Sequence, residues 1–218
     1  MHTDKDSEIG TISAIGAFAA PPPTKYERLL ARAKKVPAAR TIVVHPCDET
    51  SLRGPIEAAE AGVIVPILVG PAAKISAVAR EHGLRIERFE VVDVPHSEAA
   101  AMKGVELIRE SKGELLMKGS LHTDELMRAV TSSTTGLRTA RRISHVFIMD
   151  VPTYAETLFL TDAAINIAPE LDAKRDIIQN VIDLFTQVGC GFLRLRTVIP
   201  IHRGQHSDDR GQSPIDGI

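Results

Sequence analysis

The fold of this chain is decided where a strand meets a helix, in the stretch GELLMKGSLHTDELMRAV at residues 113–130. The short apolar run Leu115–Met117 predicts a buried strand, and Lys118-Gly119-Ser120 ends it. A helix is expected to begin at about Thr123, because Thr is a suitable N-cap residue. A strand that passes directly into a helix is the unit from which α/β folds are built.

The same alternation continues towards the N-terminus. Apolar periodicity predicts a helix, then alternating strands and helices, over residues 26–33, 41–45, 51–61, 63–69, 72–82, 89–92 and 96–111. Pro55 is expected to mark the effective start of the second helix, and Pro66 to break the fourth segment. Short connections and continuous apolar strands favour α/β architecture, with mainly parallel sheets flanked by helices on both faces.

A second unit of the same style is predicted after the basic, Ser/Thr-rich piece at residues 131–142. It comprises strands over 144–150 and 157–160, a turn and short strand over 160–169, and a helix over 170–188. That helix has a broad apolar face that includes Leu171 and Ile177. The predicted organisation is a flexible lead-in (1–23), a first α/β domain (24–142), a partial second α/β domain (143–190) and an atypical tail (191–218).

Composition limits the classes of function. The net charge of −2 and the pI of about 6.4 argue against nucleic acid or an acidic membrane as partner. Aromatic residues make up 4% of the chain, and there is no Trp, so base-stacking platforms are not expected. The two cysteines, Cys47 and Cys190, match no metal-ligand spacing and are interpreted as reduced thiols of a cytoplasmic protein. No apolar run is long enough to span a membrane.

The strand–helix junction is a candidate anion site. Ligands gather at the carboxyl ends of parallel strands, and a loop that enters a helix offers free N–H groups to phosphate. The acids Asp124 and Glu125 oppose an anion unless they face away. The alternative, a capped helix with surface cations, stays open. The candidate groups combine a glycine that permits close backbone approach, hydroxyls and cations, at Lys118, Gly119, Ser120, Thr123 and Arg128.

Two other polar clusters have a structural and a functional interpretation. His45-Pro46-Cys47-Asp48 follows a strand, and a Pro turn with an inert thiol and an Asp cap is favoured over a catalytic cysteine. Asp162 and Asn166 are candidates to line a cleft between the two units, although such residues more often tie a turn through their own backbone. No glycine fingerprint for dinucleotides, P-loop, nucleophile elbow or metal-binding motif is present.

Several strings in a fixed order resemble the phosphate acetyltransferase/phosphate butyryltransferase family. The closest likeness is to its phosphate-butyryltransferase-like branch, as in the phosphate acetyltransferase part of bifunctional enoyl-CoA hydratase/phosphate acetyltransferase proteins. The strings are HPCDE (45–49), SLRGPIEAAEAG (51–62), PILVGP (66–71), MKGSLHT (117–123), SHVFIMD (144–150), LTDAAINIAP (160–169) and KRDIIQN (174–180).

The resemblance implies two α/β domains separated by a cleft, similar to isocitrate and isopropylmalate dehydrogenases. It implies transfer of a short acyl group, acetyl or butyryl, between coenzyme A and inorganic phosphate. Acyl-CoA, phosphate and acyl phosphate are then substrates, with no permanently bound cofactor. Family enzymes place an arginine on the phosphate side after this segment, and Arg128 matches it, with His122 and Thr123 beside it. A homo-oligomer or an aggregation-prone chain is also expected.

The chain departs from the family towards its end. Family members run further, and the later region implied to carry a serine, an arginine and an aspartate proposed as base has no match here. Residues 191–218 contain no Ala, Lys or Glu and are interpreted as an out-of-frame or diverged tail of a truncated chain with an incomplete second domain. The catalytic residues are therefore unassigned. A non-catalytic relative that binds phosphate or coenzyme A, or associates with a family member, is the alternative.

Overall fold

The computed structural model describes residues 22–188, so the predicted tail and nearly all of the lead-in lie outside the described residues. No helix in this range is both long and apolar enough to cross a membrane. The elements in chain order are α1 (Lys25–Ala33), β1 (Ala39–Val44), α2 (Glu49–Glu60), β2 (Ile64–Gly70), α3 (Ala72–Glu81), β3 (Glu90–Asp93), α4 (Ser97–Arg109), β4 (Leu115–Lys118), α5 (Thr123–Val130), β5 (Val146–Met149), β6 (Leu158–Thr161) and α6 (Leu171–Gln187).

The first four strands form one parallel sheet in the order β3-β2-β1-β4. The chain steps outward from β1 to β3 through α2 and α3, and then returns through α4 to place β4 on the other side of β1. The predicted α/β class with a parallel, helix-flanked sheet is confirmed. The reversal of direction creates a topological switch point between β1 and β4.

Helices cover both faces of this sheet because its strands are apolar on both sides. One face packs against α2 and α3, and the other against α4 and α5. Each buried Ile or Leu contributes about 1.5–3 kcal/mol relative to an exposed one. The first core contains Val43, Cys47, Leu52, Ile56, Leu68, Ile75 and Ala79. The second contains Ile42, Val44, Ile67, Val69, Ala100, Ala101, Leu107, Leu121 and Leu126.

Helix α2 begins six residues before Pro55, so the expectation that Pro55 marks its effective start is wrong. The helix starts early because Asp48 caps it, accepting the backbone N–H of Ser51 at 2.8 Å. Proline inside a helix removes one backbone hydrogen bond. Pro55 is itself buried, as are Leu52 and Ile56, so packing against the sheet offsets that loss.

Pro66 lies inside β2 without breaking it, which is also contrary to expectation. The carbonyl of Val69 accepts from His45 after β1, whereas the carbonyl of Gly70 accepts from Val94 after β3. The backbone N–H and C=O groups of odd-numbered residues of β2 thus point towards β1, and those of even-numbered residues point towards β3. Pairing with β3 begins only at residue 67, so the missing N–H of Pro66 lies before the start of β3 and no ladder hydrogen bond is lost.

The second unit differs from the predicted mainly parallel style, because β5 and β6 pair antiparallel. The connection between them is residues 150–157, and a parallel crossover needs a dozen or more residues. The short strand expected between 160 and 169 does not extend past β6. Helix α6 covers one face of this two-stranded sheet, where the rings of Phe159 and Phe185 meet edge to face at 5.2 Å.

The apolar face predicted for α6 is present except at its first residue. Ile177 is buried, but Leu171 is 82% exposed. The 17 residues of α6 extend about 25 Å, whereas the four-residue strands beneath it extend only about 13 Å. The first turn of the helix is therefore left outside the packed region.

Helix α1 contacts the second unit. The ammonium of Lys25 donates to the carbonyl of Val151 at 2.6 Å and pairs with Asp150 at 3.2 Å. One helix length further on, the guanidinium of Arg32 donates to the carbonyl of Val188 at 2.8 Å. The helix thus links the end of β5 to the end of α6.

Candidate functional site

The switch point brings together two of the loops that the sequence analysis selected. Val44 and Lys118 are paired in register at the carboxyl ends of β1 and β4. After β1 the chain turns to α2 on one face of the sheet, and after β4 it turns to α5 on the other face. Loops that diverge in this way leave a crevice between them, which is where open α/β sheets bind ligands.

Gly119 is required by the approach of β4 to β1. A Cβ atom on Gly119 would lie 2.4 Å from the carbonyl oxygen of Val44 and 2.6 Å from that of His45. The N–H of Gly119 donates to the same Val44 carbonyl at 2.8 Å. The predicted close backbone approach is therefore present, but the structure shows it between two loops of the protein itself.

The hydroxyl of Ser120 holds the two loops together. It donates to the carbonyl of His45 at 2.8 Å and accepts the N–H of Cys47 at 3.2 Å. The Nδ1 atom of His45 also lies 3.2 Å from it. Ser120 is thus occupied in positioning the crevice, rather than presenting a free hydroxyl to an anion.

The loop after β1 contains a residue with a positive φ and a cysteine thiol of low reactivity. His45 has a φ of +54°, a left-handed conformation that is costly for residues other than glycine. Burial, and next the charge of Lys74, lower the pKa of the His45 imidazole. Burial raises the pKa of the Cys47 thiol, which keeps it protonated. The interpretation of this loop as an inert thiol followed by an Asp cap is supported.

Helix α5 begins with His122 as its N-cap, so the prediction that Thr123 caps it is wrong. The carboxylate of Glu125 reaches back to accept the backbone N–H of His122 at 3.1 Å, which fixes the cap one residue earlier. Its other oxygen accepts the hydroxyl of Ser97 at 2.8 Å. The Ser97 bond, followed by the His122 bond, lowers the pKa of Glu125. The side chains of His122 and Thr123 are exposed.

Arg128 does not stand beside Lys118. It lies in the last turn of α5, whereas Lys118 precedes the first turn. Its guanidinium pairs with Asp124 at 3.5 Å, and both side chains are more than two-thirds exposed. Of the two acids that oppose an anion, Glu125 is therefore bonded to Ser97 and to the backbone of His122. Asp124 neutralises Arg128, the cation predicted to bind phosphate. An exposed pair of this kind contributes at most about 1 kcal/mol, so a competing anion can displace it.

A cavity of about 340 Å³ opens at the crevice, between the start of α2 and the end of β4. The ammonium of Lys118 donates to the carbonyl of Gly119 at 3.2 Å beside it. Hydrogen bonds from Ser51, and more weakly the charge of Lys118, lower the pKa of Asp48. The wall that α2 contributes to this cavity was not predicted from the sequence. The one sequence feature that could have indicated it is Gly54, a glycine inside a helix. The lining residues are Asp48, Thr50, Ser51, Gly54, Pro55, Met117, Lys118 and Gly119.

Asp162 and Asn166 tie a turn, as their structural interpretation predicts. The Asp162 carboxylate accepts the backbone N–H groups of Ala164 and Ile165 at 3.2 and 3.0 Å, and that of His145 at 3.3 Å. Both the backbone and the side-chain amide of Asn166 donate to it as well. Partial burial acts to raise the pKa of Asp162, but these hydrogen bonds outweigh it and hold the pKa below its ordinary value.

A second cavity, also of about 340 Å³, lies beside this turn and is lined by Asn166, Arg142 and the start of α6. Asp162 does not line it. Within residues 22–188 no group of three or more His, Cys, Asp or Glu side chains is arranged to hold a metal ion.

Comparison with known proteins relates the sequence to one family. Residues 96–194 match the family described as "Phosphate acetyl/butaryl transferase". The chain is 68% identical over 169 residues to a phosphate acetyltransferase of Rhizobium meliloti, covering 78% of this chain and 54% of that protein. This chain is a relative of the phosphate acetyl- and butyryltransferases. A phosphate butyryltransferase of Clostridium beijerinckii is 32% identical over 176 residues, covering 81% of this chain and 58% of that protein.

The chain spans about half the length of these curated relatives. Its fold is similar to that of a Streptococcus pyogenes phosphotransacetylase, with a TM-score of 0.61 and 16% identity over 73% of this chain and 58% of that one. A branched-chain phosphotransacylase from Enterococcus faecalis gives a TM-score of 0.55 with 22% identity, over 68% and 52% of the two chains. At these identities, the likeness supports the fold alone.

Proposed function

We propose that this chain takes part in transferring a short acyl group, acetyl or butyryl, between coenzyme A and inorganic phosphate. The observation that carries the proposal is the position of the family-like segment at residues 117–123. It lies at the switch point of the parallel sheet, held against the equally family-like loop at 45–48 by Ser120. Ligands of open α/β sheets bind at such points. Sequence relatives named phosphate acetyltransferase and phosphate butyryltransferase support the proposed reaction.

The proposed binding groups are cations and donors around the crevice. Lys118 provides the cation at the cavity wall, and His122 and Thr123 are exposed at the start of α5. Arg128 joins them when an anion displaces it from Asp124. One charge-assisted hydrogen bond to a phosphate oxygen contributes about 1.5–3 kcal/mol. Gly119 and Ser120 position these groups, and no proton-transfer residue is assigned.

The proposed reaction takes place in a cleft between two units, as in isocitrate and isopropylmalate dehydrogenases. The first unit is residues 24–142 and the second begins at 143. The separate sheets on either side of residues 131–142 support this division. Coenzyme A enters as a substrate and not as a resident cofactor. The interpretation of both cysteines as reduced thiols places the protein in the cytoplasm.

A second candidate function is a relative that binds phosphate or coenzyme A, or associates with a family member, without catalysis. The state of Asp162 favours it. Among the predicted cleft residues Asp162 is the one carboxylate that could act as a base, but its oxygens are occupied by hydrogen bonds within a turn. A base with a lowered pKa and no free approach removes protons poorly.

An assay that follows thioester formation from acetyl phosphate and coenzyme A separates the two functions. If Lys118→Gln lowers the rate of acyl transfer at least about tenfold, the first function is supported. A tenfold loss corresponds to the loss of a transition-state contact of about 1.4 kcal/mol. Lys112→Gln is the matched control, since Lys112 is exposed and paired with Glu110 outside the crevice. Equal rates in Lys118→Gln and the native chain would remove the site. Calorimetric binding of phosphate or coenzyme A without turnover would favour the second function.

A further inference from the structure

The cavity beside the Asp162 turn has the size of a small-metabolite site and contains none of the groups proposed to bind phosphate. Its volume of about 340 Å³ lies near the lower end of the range for ligand pockets. It shares no lining residue with the crevice at the end of β4. A ligand of this cavity is therefore recognised by a different set of side chains.

Two opposite charges line this cavity without being paired. Within residues 22–188, no hydrogen bond or ion pair engages the guanidinium of Arg142 or the carboxylate of Glu170. Asp172, the third charged lining residue, is already paired with Arg175 at 3.6 Å. The cavity thus offers one free cation and one free anion, which suits a small ligand that itself carries both charges.

The backbone that carries these two charges is fixed by α6. The N–H of Arg142 donates to the carboxylate of Asp176 at 3.1 Å, and its carbonyl accepts the side-chain amide of Asn180 at 2.9 Å. Glu170 is the N-cap residue of α6, and its carbonyl accepts the N–H of Lys174 at 2.9 Å. A ligand therefore has to order only side chains and not the backbone, which lowers the entropic cost of binding.

The rest of the cavity wall is mainly apolar. Ile165, Pro169 and Ala173 are half-buried there, and Ile167 lies at the same wall with its side chain exposed. The amide nitrogen of Asn166 already donates to two protein oxygens. Burial of this apolar surface favours a ligand with a short aliphatic group.

We propose that this cavity binds a free α-amino acid with a short aliphatic side chain. The guanidinium of Arg142 binds the α-carboxylate, and the carboxylate of Glu170 accepts the α-ammonium group. The aliphatic side chain contacts Ile165 and Pro169. This site goes beyond the proposed function, because it involves neither phosphate nor coenzyme A and needs no turnover.

Calorimetric titration with L-valine tests the site, together with two probes that each lack one charge. L-Valinamide lacks the carboxylate and N-acetyl-L-valine lacks the ammonium group, so each is expected to bind at least about tenfold more weakly than L-valine. Arg142→Gln and Glu170→Gln are each expected to weaken binding of L-valine by a similar factor. Both side chains are exposed, so folding is retained. Arg138→Gln and Glu156→Gln are the matched controls, since these residues are exposed and do not line the cavity.

A native chain that does not bind L-valine, or that binds L-valinamide or N-acetyl-L-valine equally tightly, would overturn the site. So would L-valine binding that either Arg142→Gln or Glu170→Gln leaves unchanged, because both charges are required. Glycine is expected to bind more weakly than L-valine, and equal affinities would contradict the role of the apolar wall. Acyl transfer that depends on Lys118 is measured separately, so failure of the amino-acid site leaves the proposed function standing, and the reverse holds as well.

Discussion

The hydroxyl of Ser120 donates a hydrogen bond of 2.8 Å to the backbone carbonyl of His45, and this contact joins the ends of β1 and β4. The two residues are 75 positions apart in the sequence. The same oxygen accepts the N–H of Cys47, so one small side chain satisfies backbone groups on a loop that would otherwise be loosely held. The crevice depends on this junction for its shape.

Replacement of Ser120 by alanine is expected to lower the free energy of unfolding by about 1–3 kcal/mol, because two hydrogen bonds to backbone groups are lost and each contributes about 0.5–1.5 kcal/mol. Urea denaturation measures the change. Ser133→Ala is the control, because Ser133 is exposed, and no change is expected there. Equal stabilities of the two variants would show that the junction does not depend on the Ser120 hydroxyl.

Gly119→Ala is expected to destabilise the fold by about 1–3 kcal/mol, because the added methyl group overlaps the carbonyl oxygens of Val44 and His45. Gly54→Ala is the matched comparison. Its methyl group meets no atom within 4 Å and improves helix propensity, so a gain of up to about 1 kcal/mol is expected. The two alanine variants should move the denaturation midpoint in opposite directions, and a shift of the same sign in both would contradict the prediction.

The sequence was a good guide to the first unit because its periodicity is strong and its strands are buried on both faces. Its errors arose where a contact that residue type alone does not indicate replaced a local preference. Helix α5 begins at Thr123, as expected, but Glu125 reaches back to the N–H of His122, so His122 and not Thr123 is the cap. Pro66 is compatible with β2 only because β3 begins late, a fact that no local pattern contains.

The candidate site was also predicted only in part, because some of its residues meet only through tertiary contacts. The loop after β4 was identified because glycine, hydroxyls and cations are adjacent in sequence. The α2 wall of the cavity was missed, because Gly54 and Lys118 meet only through the pairing of β1 with β4. The pairing of Arg128 with Asp124 follows from their spacing of four residues on a helix, which the sequence did show.

The place of Arg128 in the anion site can be decided by changing both members of its ion pair. Arg128→Gln is expected to weaken phosphate or acetyl phosphate binding by about tenfold, the effect of losing about 1.4 kcal/mol. Asp124→Asn is expected to tighten it, because the arginine is released from its competitor. Isothermal titration measures both affinities. If neither variant differs from the native chain, Arg128 lies outside the site.

The turn at Asp162 is expected to make stability depend on pH in the acid range. The pKa of this carboxyl is lowered in the folded state, so its stabilising effect is complete at neutral pH and is lost as the pH falls through the folded pKa, below the ordinary value near 4. Asp162→Asn removes the charge, and we expect it to be less stable than the native chain at pH 7. Urea denaturation across pH 2–7 should show the two chains converging in acid. A constant difference would contradict the assignment.

The open face of the β5–β6 sheet is the surface that we expect to cause self-association. The register places Phe147 opposite Leu160 and Met149 opposite Leu158, so these four apolar side chains share one face, and α6 covers the other. Phe147 and Leu160 are 48% and 50% exposed. Within residues 22–188, each of the two strands also keeps an unpaired edge. An apolar face beside open edges favours association with a second copy.

Leu160→Lys is therefore expected to reduce concentration-dependent association, measured by sedimentation velocity and light scattering. Because the side chain is half exposed, its replacement should change the free energy of unfolding by no more than about 0.5 kcal/mol. Val36→Lys is the control, since Val36 is 62% exposed in the turn after α1 and lies outside this sheet. A native chain that stays monomeric over the accessible concentration range would contradict the prediction. If Leu160→Lys and Val36→Lys reduce association equally, net charge and not this face controls the association.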